Sequence, residues 1–302
     1  MKAVIQPRYG APEVLKISDV PIPQIKEHEM LIKVAYANVS SGDARVRALD
    51  APAMLKPMMR LIFGIRGLRH QIPGVGGSGV VVETGQAITR FKKGDRVHFI
   101  HAMRMGSYAE YVKYKETDCI AKTPDNVSLE QAAPLSFGAL TAYHFINESH
   151  VKTGDHVLIY GASGSVGTYA VQLAKYYGAH VTAVASLKNQ SLLRSIGADD
   201  FIDYQTTDFR TTSSPYDVIF DAVGKITKKS CQAVLKKQGI YVSVKSMTSE
   251  KQKLLEDINQ ILRTDQLTSV IETIYPLEDV VKAHAHVDSH RKVGNIVLKI
   301  HD

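Results

Sequence analysis

From Met1 to about residue 122, apolar positions come in short runs separated by turn residues: MKAVIQ, MLIKVAYANV, SGVVVETG, DRVHFI, YAEYVKY and CIAKTP. Runs of this length between glycine, proline and aspartate predict a β-rich half. From about residue 153 the texture changes to apolar strand, glycine turn, amphipathic helix and strand, repeated along the chain. That alternation predicts a parallel sheet wrapped by helices. The expected strands are 156–160, 180–186, 200–204, 216–223 and 240–244, with helices filling the gaps, which makes a five-stranded sheet. Val166, Ala170, Leu173, Ala174 and Tyr177 recur at helical spacing, and Gly178 stands where a left-handed cap is needed. Leu192, Leu193 and Ile196 before Gly197 repeat the device. A third helix starts near Ser249 and carries Leu254, Leu255, Ile258, Ile261 and Leu262 on its buried side. The tail predicts a helix begun by Pro276 and then a final strand.

At 302 residues, with 44% hydrophobic and 22% charged side chains, the chain is long enough for two cores. The start has no signal-like apolar run and no later stretch is long enough to span a bilayer, so the expectation is a soluble cytoplasmic protein with no membrane partner. The formal charge of +7 is spread, and its clusters RFKKGDR, TKKS and LKKQ adjoin turns. They predict solvated loops and no nucleic-acid partner. Cys119 and Cys231 are too few for a cysteine zinc site and are expected reduced and buried.

The most informative run is HVLIYGASGSVGTYAVQLAKYYGAHVTAVAS. A strand ending at Tyr160 leads through Gly161, Ala162, Ser163, Gly164, Ser165, Val166 and Gly167 into a helix, and a second strand follows. The strand needs a sharp turn near Gly161 and Ala162, a side chain at 164 would block backbone approach to a pyrophosphate, and one at 167 would push the helix off the strand. The free N–H groups at the helix start then face the phosphates. At the end of the second strand, where an acidic residue would accept the ribose hydroxyl of NAD, the chain reads Ser186, Leu187, Lys188, Asn189. A carboxylate there would repel a 2'-phosphate by about 4 kcal/mol at ~4 Å and an effective dielectric of ~20. Its absence, with Lys188 alongside, selects NADPH.

The motifs PGVGGSGVVVETG, FKKGDRV, GSYAEYV, GALTAYH, YGASGSVGTYAVQLAKYYGA, GADDFIDY, YDVIFDAVG and GNIVLKI resemble, in order and spacing, the medium-chain dehydrogenase/reductase superfamily, and in particular its zinc-lacking quinone oxidoreductase branch. The resemblance implies an α/β chain with a Rossmann doubly wound parallel sheet inserted in a GroES-like β-rich catalytic domain. It implies residues 1–124 as that catalytic domain, 125–268 as the NADP-binding domain and 269–302 as a return to the first. The family's contacts fall on Ala162, Gly164, Val166 and Gly167 for the pyrophosphate, and on Ser186, Lys188, Asn189 and Tyr204 for the 2'-phosphate. Val223 and the run Val242, Ser243 and Val244 fall on the nicotinamide side, with Thr141 near the ring or carboxamide. Relatives normally carry a sixth sheet strand after 244, which often pairs across a dimer. Its loss here implies a monomer or a dimer through another surface.

Zinc-dependent relatives place a cysteine at Ser40, a histidine and a glutamate at Val75 and Gly76, and a further cysteine near Phe137. None of the residues standing here ligates zinc; among His284, His286 and His290 the first two point to different sides of the predicted helix and are poor joint ligands, and His98 and His101 have no third partner. No metal is therefore expected. Without one, a quinone or conjugated enone suits the chemistry, because it accepts hydride directly and its oxygen needs only hydrogen-bond donors. Ser40 and Thr141 are the candidate donors. The family usually has asparagine at Ser40 and an aromatic residue at Ala44, so the pocket is roomier here. Asp43 and Arg47 match the family pattern and either hold the short helix 41–49 by charge pairing, the favoured expectation, or contact substrate. The segment 51–73 either covers an apolar substrate or packs as a helix on the β-rich core. Three functions remain open: quinone reduction, double-bond reduction of enones or enoyl thioesters, and non-catalytic NADPH-binding regulation.

Overall fold

The computed structural model describes residues 1–212 and 215–301. In chain order the elements are β1 (Lys2–Ile5), β2 (Lys16–Asp19), β3 (Glu29–Val39), α1 (Ser41–Ala48), α2 (Lys56–Phe63), β4 (Gly76–Thr84), β5 (Arg96–Ile100), β6 (Tyr111–Lys115), β7 (Ile120–Lys122) and α3 (Leu129–Ala132). They continue as α4 (Leu140–Glu148), β8 (His156–Tyr160), α5 (Ser165–Tyr176), β9 (His180–Ala185), α6 (Gln190–Ser195), β10 (Asp200–Asp203), β11 (Tyr216–Asp221), β12 (Leu235–Ser243), α7 (Gln252–Leu262), β13 (Ile271–Pro276), α8 (Val280–Asp288) and β14 (Asn295–Lys299). The chain forms two compact units, one of residues 1–137, 250–259 and 271–302, the other of residues 138–249 and 260–270.

The first unit is built on a seven-stranded sheet in the order β13-β14-β3-β4-β5-β7, with β6 also on β3. The last strand enters it late in the sequence: β14 runs antiparallel to β3, Ile296 facing Val39 and Leu298 facing Ala37. One core therefore joins Met30, Ile32 and Val34 to Val280, Ala283, Ile296 and Leu298, residues from opposite ends of the chain. The C-terminal stretch is part of this core.

The second unit carries a five-stranded sheet in the order β10-β9-β8-β11-β12, every pairing parallel. The order reverses between β8 and β11, and in open parallel sheets a crevice forms at such a switch, outside the carboxyl ends of the strands. α5 forms where the spacing predicts, but it is buried on all sides from Val166 to Ala174 and not along one face alone, while Tyr177 is its half-buried C-cap.

The sequence pattern and the structure differ in several places. Helices do not fill every gap: among the described residues, the connections from β10 to β11 and from β11 to β12 carry only 3-10 turns, at Phe209–Thr211 and Lys229–Cys231. Leu235 to Gln238, which read as helix, already belong to β12. β2 and β13 are strands that the apolar runs did not announce. Asp43 and Arg47 do not pair with each other. Asp43 closes a capping box at the start of α1, whereas Arg47 reaches α8, donating from Nη2 to Asp288 Oδ2 at 2.6 Å and lying 3.0 Å from His284 Nδ1. The helix in segment 51–73 forms, yet α2 buries none of its residues, so it does not pack on the β-rich core. Among the described residues no helix is long and apolar enough to cross a membrane.

Candidate active site

The turn after β8 is made by backbone constraints. Gly161 sits at φ +79°, and a β-carbon there would lie 2.4 Å from Val223, so this glycine lets the turn after β8 rest on the turn after β11. A β-carbon at Gly167 would lie 2.3 Å from the Gly161 carbonyl oxygen and 2.7 Å from Ala162, which fixes the close approach of α5 to the strand. Gly164 is different. Its backbone is extended, at φ −79° and ψ 175°, and the nearest atom to an added β-carbon is 3.5 Å away. No internal packing demands glycine here; the missing side chain leaves open space above the backbone.

The amides of Gly161 and Ala162 both donate to the Val184 carbonyl, tying the turn to β9, and Gly164 N donates to Gly161 O. α5, twelve residues long, begins at Gly164 with no side-chain cap. The first amides of a helix have no partner in a preceding turn, and the dipole there favours negative charge. A glycine cradle beneath an uncapped helix start fits a pyrophosphate.

The end of β9 lies beside this turn. Ser186 is half-buried, Lys188 is exposed, and Asn189 is buried with its Nδ2 3.2 Å from Ser186 Oγ. Tyr204, exposed, follows β10 and donates its amide to Ala185 at 3.3 Å. No aspartate or glutamate occurs from His156 to Ala198, and Lys188 makes no ion pair among the described residues. This corner offers an uncompensated cation and small hydroxyls, a setting that suits a phosphate monoester better than a ribose diol.

Sequence reasoning missed the residue that organises the other side of the crevice. Asp221, fully buried at the end of β11, accepts from the amides of Val223, Gly224, Lys225 and Ile226 and from the hydroxyls of Tyr241 and Ser243, at 2.8–3.3 Å. It positions Val223 and fixes the strand end that carries Val242, Ser243 and Val244. The signal was an acid closing an apolar strand just before Ala-Val-Gly. The Ser243 hydroxyl is engaged with Asp221 and also accepts from Lys245 N at 3.3 Å, so Ser243 holds the turn together. Thr141 is buried near the start of α4 in the same unit.

In the first unit, Ser40 is buried as the N-cap of α1. Its amide and its hydroxyl both donate to Asp43 Oδ2, at 2.8 and 2.5 Å, and its Oγ accepts from Asp43 N at 3.1 Å. Val75 N donates to the other carboxylate oxygen at 3.0 Å. Burial pushes the Asp43 carboxyl up to about 6, and the hydrogen bonds from Ser40 and Val75 limit that rise. The Ser40 proton is thus held by Asp43. Val75, Gly76 and Phe137 bring no metal-binding side chain, and no cluster of three or more His, Cys, Asp or Glu among the described residues is placed to hold a metal ion. His98 and His284 are buried, and desolvation lowers them to about 4 and about 3; both are neutral core groups.

Residues 26–125 match the alcohol dehydrogenase GroES-like domain and residues 165–283 the zinc-binding dehydrogenase domain. The NADPH-dependent alkenal/one oxidoreductase of Arabidopsis thaliana chloroplasts is 30% identical over 319 residues, covering 99% of this chain and 79% of that protein. The chain belongs to the medium-chain dehydrogenase/reductase superfamily, in its quinone-oxidoreductase-like branch. A chloroplastic quinone-oxidoreductase homolog of Spinacia oleracea, 29% identical, covers 96% of this chain and is itself covered to 95%. The solved quinone oxidoreductase of Coxiella burnetii superposes with a TM-score of 0.85 at 28% identity, over 100% of this chain and 99% of that one. As a medium-chain dehydrogenase/reductase the chain combines a GroES-like unit with a Rossmann-type sheet, the α/β architecture its motifs imply. Zinc, which one matched domain carries in its name, does not fit the donor set at Ser40, Val75, Gly76 and Phe137.

Proposed function

We propose that this chain is an NADPH-dependent oxidoreductase that reduces a quinone or a similar conjugated carbonyl compound without zinc. The observation that carries the reading is the pairing of an open glycine cradle at Gly164 with an uncapped α5, beside the end of β9, where residues 184–198 include no carboxylate and Lys188 is exposed. Gly161 to Gly167 would hold the pyrophosphate, Ser186, Lys188, Asn189 and Tyr204 the 2'-phosphate, and Val223 and Val242 to Val244 would flank the nicotinamide. The cofactor, when bound, supplies the hydride.

The protein's own part is to position the acceptor and to neutralise charge growing on its oxygen. Thr141 serves as the primary hydroxyl donor. Ser40 donates only by exchanging its bond to Asp43, which makes Asp43 a positioning residue behind it. The same hydride geometry serves reduction of a carbon–carbon double bond conjugated to a carbonyl, and the alkenal/one-reducing relative favours keeping that reading beside the first. Steady-state turnover with a panel of quinones and enones, using NADPH and NADH and a chelator control, tests this. The reading predicts NADPH oxidation with at least one acceptor, unaffected by chelator. Cofactor binding without oxidation of any acceptor would leave a regulatory NADPH-binding protein instead, and loss of activity with chelator would overturn the metal-free chemistry.

A further inference from the structure

The segment between α1 and β4 does something that neither a buried helix nor a simple loop does. It is fastened firmly at its far end: Tyr9 Oη donates to the Gly64 carbonyl at 2.7 Å, Arg69 N donates to the Phe63 carbonyl at 2.7 Å, Gly67 lies against the Pro7 backbone, and Leu68 is buried. Ahead of this anchor the chain turns its apolar side chains outward. Met54, Leu61 and Ile65 are 88%, 68% and 73% exposed, and Leu55, Met58 and Ile62 are exposed as well. Positions 54, 55, 58, 61 and 62 lie at three-, four- and seven-residue spacings, so they form one face of the helical turn leading into and through α2.

The charge around this face is one-sided. From Ala51 to Val82 the chain has no aspartate or glutamate, yet it carries Lys56, Arg60, Arg66 and Arg69. All four are exposed and none forms an ion pair among the described residues. Lys56 and Arg60, four residues apart, lie on the side of the helix away from the apolar face.

We propose that residues 53–69 seat this protein on the surface of an anionic lipid bilayer, with α2 lying in the plane of the interface. An interfacial helix dips its apolar face about 5–10 Å into the headgroup–acyl boundary and keeps its cations at headgroup level. Here Met54, Met58, Leu61, Ile62 and Ile65 are the inserted set, and Lys56, Arg60, Arg66 and Arg69 meet the lipid phosphates, their long stems reaching past the helix body. The charge pattern selects this occupant over a second copy of the chain, because two apolar faces packed together would leave the four cations of each copy without a counter-charge. An anionic surface neutralises them.

The test is flotation of the full-length protein with vesicles of phosphatidylcholine alone and with about 30 mol% phosphatidylserine. The proposal expects flotation only with the anionic vesicles, weakened by salt and lost in a Leu61→Glu/Ile65→Glu variant, both positions being exposed. Lys56→Gln and Arg66→Gln should each weaken partitioning by about fivefold. Sedimentation and circular dichroism on the same variants report oligomeric state and folding. Equal binding to neutral and anionic vesicles, no binding to either, or a dimer that Leu61→Glu/Ile65→Glu dissolves would each overturn it.

Discussion

Gly164→Ala separates a ligand-binding role for the glycine turn from a packing role. The backbone at 164 is extended and any L residue adopts it; the added methyl comes no closer than 3.5 Å to another atom, Gly161 O, an ordinary contact. The folded state should therefore tolerate the change to within about 1 kcal/mol, the small loss at a helix N-cap being offset by a stiffer unfolded chain. The same methyl stands where a pyrophosphate oxygen must approach the amides of α5. Displacing one charge-assisted hydrogen bond costs roughly 1.5–3 kcal/mol, which is about 10- to 150-fold in affinity. Gly164→Val should weaken binding further. Gly167→Ala inverts the pattern: its β-carbon would press to within 2.3 Å of backbone that has nowhere to move, and overpacking of this kind costs roughly 1–3 kcal/mol or more of stability. Thermal denaturation and fluorescence titration with NADPH on the three variants give the comparison. Native affinity in Gly164→Ala would refute the reasoning, as would unfolding of that variant.

Three further outcomes follow from the same geometry. Lys188→Ala should lower NADPH affinity by about tenfold while leaving NADH binding unchanged, since an exposed cation contributes only the screened part of its Coulomb attraction; parallel titrations read the ratio. Asp221→Asn leaves buried donors facing an amide nitrogen and should cost on the order of 3 kcal/mol in denaturant unfolding, with NADPH affinity falling as Val223 loses its support. Stability should fall as pH drops from about 6.5 toward 4. His98 and His284 are depressed in the folded state, so the unfolded chain takes up protons first, and each costs on the order of 3 kcal/mol across that window. Asp43 acts with the opposite sign: its raised carboxyl holds a proton in the folded chain from about 6 downward, so its contribution is lost as pH rises through that value. A chemical-denaturation series in which His98→Gln flattens the acid limb, and Asp43→Asn steepens it, checks both signs.

What the sequence makes legible is what local backbone chemistry decides. Gly167 declares its role because it answers a demand made within seven residues, the close approach to Gly161 and Ala162, and the alternation of strand, turn and helix from His156 to Ala185 follows from the apolar period alone. The alternation predicts a helix between β10 and β11, but residues 205–212 hold Phe209 as their one apolar side chain and form a 3-10 turn at Phe209–Thr211 instead. Residues 271–276 alternate half-buried and exposed positions, but Ile274 faces outward, which blurred the period-two signal of an outer strand. The hardest features to foresee are those set by contacts distant in sequence. Arg47 meets Asp288 across 241 positions, and the local amides on Asp221 are joined by the Tyr241 and Ser243 hydroxyls of β12, 20 and 22 positions further on. Ser40 read as a substrate donor from its position; its commitment to Asp43 is a local capping box three residues long, and the part set by the fold is the Val75 amide that holds the other Asp43 oxygen.

The central claim is that the turn at 161–167 grips a dinucleotide diphosphate and that the corner at 186–189 prefers the phosphorylated ribose. Isothermal titration of the folded protein with NADPH and then NADH tests it most directly. The account predicts saturable one-site binding of NADPH, at least tenfold tighter than NADH. Heat-silent titrations with both nucleotides, accompanied by no shift in unfolding temperature, would contradict it.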